Sequence, residues 1–439
     1  MHQRDIMRNL KELVRKGIVF LLTLEARLVL KKYRPKIVVV TGSVGKTSAK
    51  DAIYSALSAS FFLRKSEKSF NSDIGVPLTV LGVPNGWSNF LQWIRNLLEG
   101  MFLLVLRAPY PKLLVVEVGA DRPGDITKSL LWLKPDVVVA TRFPDVPVHV
   151  EYYASPEEVI QEELAPAGWL AEEGIFVMNA DDERAHGAIT RAGVKRIPFG
   201  FGEEALLKAS RFRMTSRQGM PTGISFDVAY QGQRAHVVLP GVVGQSHVYA
   251  ALAGLGVAVG MDIPLALAAK NFEKHETPLG RLRLVSGMRE SVIIDDTYNA
   301  SPVATKEALL TLKEIPRKGR RIAVLADMLE LGSFSVDAHR EIGALVAESA
   351  DILITAGVRA KNIAEVARSA GMPEMQVIEC NKGADAASAL VSLIQPGDVI
   401  LVKGSQSMRM ERVVKSLMEK PEQAGLMLVR QDGEWLGRG

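Results

Sequence analysis

The chain has 439 residues, 47% of them hydrophobic and 23% charged, which excludes a disordered or fibrous protein and suits two or three packed domains. One cysteine, Cys380, excludes a disulfide framework within the chain and points to a reducing, cytoplasmic setting. The formal net charge of +5 suits anionic small molecules, nucleotides or an anionic membrane surface. No aromatic-plus-basic pattern accompanies it, so no nucleic-acid partner is expected.

Residues 5–32 read as one helix with an apolar face and a basic remainder, and residues 1–34 as an N-terminal element. That face either packs on the next domain or lies on a membrane surface. Its apolar stretch carries Glu25 and Arg27, so neither a signal peptide nor a bilayer span is expected. Residues 36–41 (KIVVVT) form a short β-branched run, the pattern of a buried parallel strand. A loop and a helix over 48–58 follow. Residues 113–118, 137–141 and 175–179 are further buried-strand candidates with helical stretches between them. This alternation predicts an α/β fold with a mostly parallel sheet, over a central domain at 35–276. An apolar helical insertion over 86–108 interrupts the pattern, either buried against the N-terminal helix or offered to a membrane or partner. Residues 211–239 read as a hairpin and 248–260 as a close-packed helix. A Pro/Gly turn near 277–280 opens a C-terminal domain over 277–439. Its strands at 292–295, 321–325, 352–356, 376–379 and 399–403 alternate with helices in the Rossmann-like, doubly wound manner.

The chemistry starts at 41–48, TGSVGKTS. Gly42 and Gly45 let backbone N–H groups approach phosphate oxygens. Ser43 and Ser48 flank the turn, Lys46 brings a positive charge to the β- and γ-phosphates, and Thr47 offers a hydroxyl to Mg²⁺. The strand before and the helix after supply the context of a phosphate-binding P-loop, and hence of ATP.

Several segments together resemble the Mur ligase family, in order from about 36 to 414. They are TGSVGKTS, FNSDIGVPLTVL (70–81), VVEVGADRPGDI (115–126), DDTYNASP (295–302), LADMLELG (325–332) and KGSQSMRMERVV (403–414). The last three resemble the branch that adds D-alanyl-D-alanine to a muramoyl-tripeptide. The resemblance implies an ATP- and Mg²⁺-dependent amide-bond ligase of cell-wall precursor synthesis acting through an acyl phosphate. It implies that Glu117 and His149 hold Mg²⁺ with Thr47. Asn71 and Thr79 would place the nucleotide and the acyl substrate. Arg281, Asp296, Tyr298 and Asn299 would contact ATP from the C-terminal domain, and Lys403 and Ser405 would face the incoming amine. Lys46, Glu117, His149 and Glu163 make up the expected catalytic set.

The chain departs from the family pattern at three places. About 35 residues precede the loop, too few for the family's UDP-sugar-binding domain. That domain is therefore expected to be lacking. The acyl substrate is then either a small molecule or lipid-linked, with peripheral contact at the inner face of the membrane. The family's modified lysine is replaced by Glu163, beside Glu162, either as a working carboxylate or as one of two exposed helix glutamates. Ser246-His247 and Ala250 stand where a His-Asn pair and a later Asn are usual, and His247 is carried over only loosely. A folylpolyglutamate- or cyanophycin-type ligase is a second reading, and a P-loop ATPase that switches without making a bond is a third.

Overall fold

The computed structural model describes residues 2–67, 70–87 and 89–437, and the side chains of 2–12 and 434 lie outside that description. The chain divides into two compact units. The first comprises Met1–Phe143, Glu157–Leu207 and Leu252–Asn271. The second comprises Pro144–Pro156, Lys208–Ala251 and Phe272–Gly439.

The first unit opens with α1 (His2–Tyr33), followed by β1 (Lys36–Thr41) and α2 (Lys46–Leu57). Then come β2 (Leu63–Lys65), α3 (Gly75–Leu81), α4 (Phe90–Val105) and β3 (Leu113–Glu117). The unit continues with α5 (Asp125–Leu130), β4 (Val137–Ala140), α6 (Pro156–Gly168), β5 (Ile175–Asn179) and β6 (Lys195–Gly200). The strands pair in parallel in the order β2-β3-β1-β4-β5-β6. Because β3 and β4 lie on opposite sides of β1, the chain reverses direction around β1. Such a reversal opens a crevice at the carboxyl ends of the strands. The helix Ser246–Gly260 is rich in Ala and Gly for a steric reason: a Cβ at Gly254 would come within 2.6 Å of the Ala52 carbonyl oxygen on α2.

α1 and α4 pack on each other, and α1 also packs on α3. Leu22, Ala26 and Val29 of α1 and Trp93, Asn96 and Gly100 of α4 are buried. Lys32 donates from Nζ to the carbonyl oxygens of Leu103 (2.8 Å), Leu104 (3.0 Å) and Leu106 (2.6 Å). A cation thus satisfies the open carbonyls at the C-terminal end of α4. The Glu25 carboxyl sits over Gly100, where a Cβ would meet Oε2 at 2.1 Å. That buried oxygen has no hydrogen-bond partner.

In the second unit β7 (Leu207–Arg217), β8 (Met220–Tyr230) and β9 (Gln233–Pro240) form an antiparallel meander. The expected hairpin therefore has a third strand. The extra strand was obscured by the charged positions of LKASRFRMTSR, which alternate out of the sheet at an irregular register. The other strands are β10 (Arg283–Ser286), β11 (Val292–Asp296), β12 (Arg321–Ala326), β13 (Ile352–Ala356), β14 (Val377–Cys380) and β15 (Val399–Lys403). They pair as β10-β11-β15-β12-β13-β14, with β10 antiparallel and the rest parallel. Two apolar clusters cover its faces: Ile294, Leu325, Leu353 and Leu401 belong to one, and Ile293, Val324, Ile354 and Val402 to the other. Both faces are covered, which is why these strands read as continuous apolar runs.

Burial pushes the Glu25 carboxyl up to about 7 from an ordinary 4.5. Between those values the folded chain binds more protons than the unfolded chain, so stability falls as pH rises through that window. Denaturation midpoints taken near both ends should show this loss in the parent protein and a smaller loss in Glu25→Gln. Identical pH profiles would refute the assignment.

Candidate functional site

The loop after β1 is shaped by its glycines. Gly42 has φ 120°, and a Cβ there would meet Thr141 Oγ1 at 2.2 Å. Gly45 has φ 91° and caps α2 without a side-chain hydrogen bond. α2 begins at Lys46, earlier than the sequence suggested, because the left-handed Gly45 turns the chain straight into the helix. Ser43 and Val44 donate their backbone N–H groups to the Arg142 carbonyl oxygen at 2.9 and 3.2 Å, which ties the loop to the end of β4. The positive end of a 12-residue helix lies beside this loop, an arrangement that favours an anion.

Glu117 ends β3, opposite Val40 of β1 in the parallel register. Thr47 Oγ1 donates to its Oε2 at 3.1 Å, and Lys50 Nζ lies 3.8 Å from the same oxygen. Lys50 is fully buried, and its partners Glu117 and Asp51 account for a cation so deep in the unit. Asp51 also pairs with Lys65 of β2 at 2.8 Å. Lys50, Asp51 and Lys65 were missed in the sequence. The one available signal was a Lys-Asp pair on the helix that opens at the loop.

Glu163 is 4% exposed, on α6. Lys46 Nζ lies 3.4 Å from its Oε1, Ser43 Oγ donates to its Oε2, and Lys46 also donates to the Gly42 carbonyl oxygen. Glu162 behaves differently and accepts from the N–H groups of Ile126 (2.9 Å) and Thr127 (3.2 Å), at the start of α5. The reading of two exposed helix glutamates is therefore overturned: one carboxylate lies on the loop lysine and the other caps a helix.

Asn71 accepts from the Gly119 N–H through its carbonyl oxygen at 3.2 Å, just beyond β3. Thr79 is buried in α3 and donates to the Gly75 carbonyl oxygen at 2.9 Å. Its hydroxyl is 3.2 Å from Ser66 Oγ, which accepts from the Glu117 N–H at 3.2 Å. Thr79 therefore supports the strand end that carries Glu117.

His149 belongs to the second unit, ahead of the short helix Val150–Tyr152, with φ 70°. Its Nδ1 lies 3.0 Å from Oε2 of Glu330, which also has a positive φ, of 65°. Two non-glycine residues in the left-handed region, facing each other, mark a strained spot of the kind found at functional sites. Among the described residues no group of three or more His, Cys, Asp or Glu is gathered to hold a metal.

The carboxyl ends of β11 and β15 carry a second polar centre. The register sets Asp296 opposite Lys403, and Lys403 Nζ lies 2.5 Å from Asp296 Oδ2. The same Nζ donates to the Asn299 carbonyl oxygen at 3.0 Å. Lys403 is 1% exposed, and burial holds its ammonium below the usual lysine range. Burial also raises Asp295 to about 6. The guanidinium of Arg281 lies 4.3 Å over the Tyr298 ring. His247, buried and pushed down to about 4, is neutral and donates from Nε2 to the Arg281 carbonyl oxygen at 2.9 Å. Ser405 Oγ accepts from the Leu329 N–H at 2.9 Å, and Asn299 Oδ1 from the Gln406 N–H at 3.3 Å. The segments DDTYNASP, LADMLELG and KGSQSMRMERVV thus meet in one place. Reaching them from below is Arg430, which was also missed. It donates to the carbonyl oxygens of Thr297 (3.0 Å) and Tyr298 and pairs with the fully buried Glu411 at 3.1 Å. Glu411 also holds Arg409 at 2.6 Å.

Comparison with known proteins follows the same two segments. The Mur ligase middle domain matches residues 100–258, and the glutamate ligase domain of Mur ligases matches residues 280–406. UDP-N-acetylmuramoyl-tripeptide–D-alanyl-D-alanine ligase of Bacillus subtilis is 26% identical over 408 residues, covering 90% of this chain and 79% of its own. The Escherichia coli protein of the same name is 26% identical over 390 residues, with 88% and 77% covered. The fold is shared with MurF ligase from Thermotoga maritima in complex with ADP, at TM-score 0.74 and 23% identity over 92% of this chain and 84% of that one. It is also shared with Mycobacterium tuberculosis folylpolyglutamate synthase, at TM-score 0.65 and 14% identity over 91% and 94%.

Glu411→Gln would leave two buried guanidinium groups short of a counterion. It should lower the stability of the folded chain by about 3–5 kcal/mol, read as an earlier denaturation midpoint. A midpoint within experimental scatter of the parent would show that the pairings carry no weight.

Proposed function

Because the chain belongs to the Mur ligase family, we propose that it joins D-alanyl-D-alanine, or a similar amine, to the carboxylate of a muramoyl peptide in peptidoglycan precursor synthesis. ATP phosphorylates the carboxylate, the amine attacks the acyl phosphate, and the products are an amide, ADP and phosphate. The observation that carries this reading is the Thr47–Glu117 pair, 3.1 Å apart, beside the glycine loop at the start of α2. The curated relatives, matched over most of their length, support the muramoyl-peptide substrate over the folylpolyglutamate- or cyanophycin-type alternative. We assign residues 35–276 to nucleotide binding and 277–439 to the ligase domain, and the boundary falls between the two matched family segments.

In this reading Gly42, Ser43, Gly45 and Ser48 shape the loop around the phosphates, and Lys46 neutralises their charge. Thr47 and Glu117 would hold Mg²⁺, and the family resemblance gives His149 a metal-ligand role as well. The hydroxyl and carboxylate oxygens suit that hard ion, which would offset the charge of the β- and γ-phosphates. Arg281, Asp296, Tyr298 and Asn299 would bind the nucleotide. Asn71 and Thr79 would order the acyl side, and Lys403 and Ser405 the amine side. Glu163 would supply, unmodified, the negative charge that a carbamate provides elsewhere in the family; its contact with Lys46 supports this role. A reducing cytoplasmic setting agrees with the single, buried cysteine. A lipid-linked acyl peptide is a second reading, favoured by the apolar faces of α1 and α4.

ADP formation measured with the UDP-muramoyl-tripeptide and D-alanyl-D-alanine, each omitted in turn, should require both. Lys46→Ala should lower it by about a hundredfold or more. Steady ADP release with neither substrate would instead favour a P-loop ATPase acting as a switch. The rate should also be indifferent to added bicarbonate. Glu163→Ala should lose about tenfold or more, while Glu163→Lys should regain activity only in bicarbonate, where its amine can be carbamylated. Full activity in Glu163→Ala would end this part of the reading.

A further inference from the structure

α1 and α4 bury one side each and leave the other open. On α1, Leu13, Phe20, Leu21, Leu24 and Leu28 are exposed, at spacings of three, four and seven that keep them on one face. On α4, Phe90, Ile94, Leu98, Met101 and Val105 form a second exposed row at the same kind of spacing. Leu91 and Phe102 widen that row. A row of this length on two adjoining helices is larger than the scattered apolar residues of an ordinary surface.

The charge around it is not random. α1 holds eight Lys or Arg against three Asp or Glu, a surplus that equals the net charge of the whole 439-residue chain. The remainder of the chain is therefore balanced, and its positive charge is concentrated on one helix. Lys31 continues the Leu13–Phe20–Leu24 row into the last turn, with Arg27 at its edge, and both are exposed. A second copy of the chain seated on this face would bring two such cationic helices together, which like-charge repulsion opposes. No helix among the described residues is long and apolar enough to cross a membrane. Large hydrophobics on one side, cations along their border and too little continuous apolar sequence to span are the marks of a helix that lies in a bilayer interface.

We propose that α1 and α4 together dock the first unit onto the surface of an anionic lipid bilayer. Phe20, Leu24, Leu98 and Val105 enter the headgroup–acyl boundary, and Arg27 and Lys31 reach the phosphates beside them. Docking stands apart from the identity of the ligated substrate, since none of these side chains belongs to the loop or to the Asp296–Lys403 centre.

The test is cosedimentation of the full chain with vesicles of phosphatidylcholine alone and of phosphatidylcholine doped with phosphatidylglycerol, at low and high salt. The parent should pellet with the anionic vesicles at low salt. Leu24→Glu/Leu98→Glu/Val105→Glu should stay in solution, with its circular dichroism and its ADP formation on soluble substrates unchanged. Arg27→Glu/Lys31→Glu keeps the apolar face and should bind on the order of tenfold more weakly, as should the parent at high salt. The proposal is overturned if the parent remains in the supernatant with anionic vesicles at low salt. It is equally overturned if light scattering shows a dimer that the triple variant reduces to a monomer, because a second copy then covers the face.

Discussion

A carboxylate taken out of water must be given donors and a cation, or it destabilises the element that carries it. Glu117 meets that demand through Thr47 and Lys50, both on α2. The contact fixes α2 against the end of β3, and β3 pairs with β1 one strand away from the glycine loop. Phosphate-loop geometry, strand register and helix position are thus one constraint stated three ways. Thr79 and Ser66 extend it backwards, since the hydroxyl chain ends on the Glu117 N–H. A substitution in α3 therefore acts at the loop without touching it.

The second unit repeats the principle with different chemistry. Lys403 is buried because β15 is interior to its sheet, and Asp296 is its cross-strand neighbour. Asn299 supplies a carbonyl oxygen, so the ammonium is satisfied and the Asp-Asp-Thr-Tyr-Asn turn is drawn over it. The stacking of Arg281 on Tyr298 and the hydrogen bond from neutral His247 then order the segment before β10. The Lys403 contacts and the Arg281–Tyr298 stack make a rigid platform.

Much of this was legible in the residues. Continuous β-branched runs such as KIVVVT and VILVK are strands because both sheet faces are covered, and the expected bounds agree with the observed ones to within a residue or two. β2, β6 and β10 escaped notice for local reasons. LRK is three residues long, KRIPFG starts charged and contains proline, and RLVS is a short antiparallel addition. The loop itself was plain, because its glycines and its lysine are local. What could not be read were partnerships across long stretches of chain: Glu163 with Lys46, His149 with Glu330, Asp296 with Lys403. Spacing along a chain carries no record of which side chains meet when the sheet closes.

The clamp of Arg430 on Tyr298 also orders events in time. Tyr298 and its neighbours are synthesised early in this unit, and 132 residues must follow before the guanidinium that holds them exists. All the other strands of the sheet are complete by then. Translation can thus assemble the scaffold before the contacts that hold the Tyr298 turn exist. The turn gains these hydrogen bonds only once Arg430 has been made, so a chain interrupted before it would lack them.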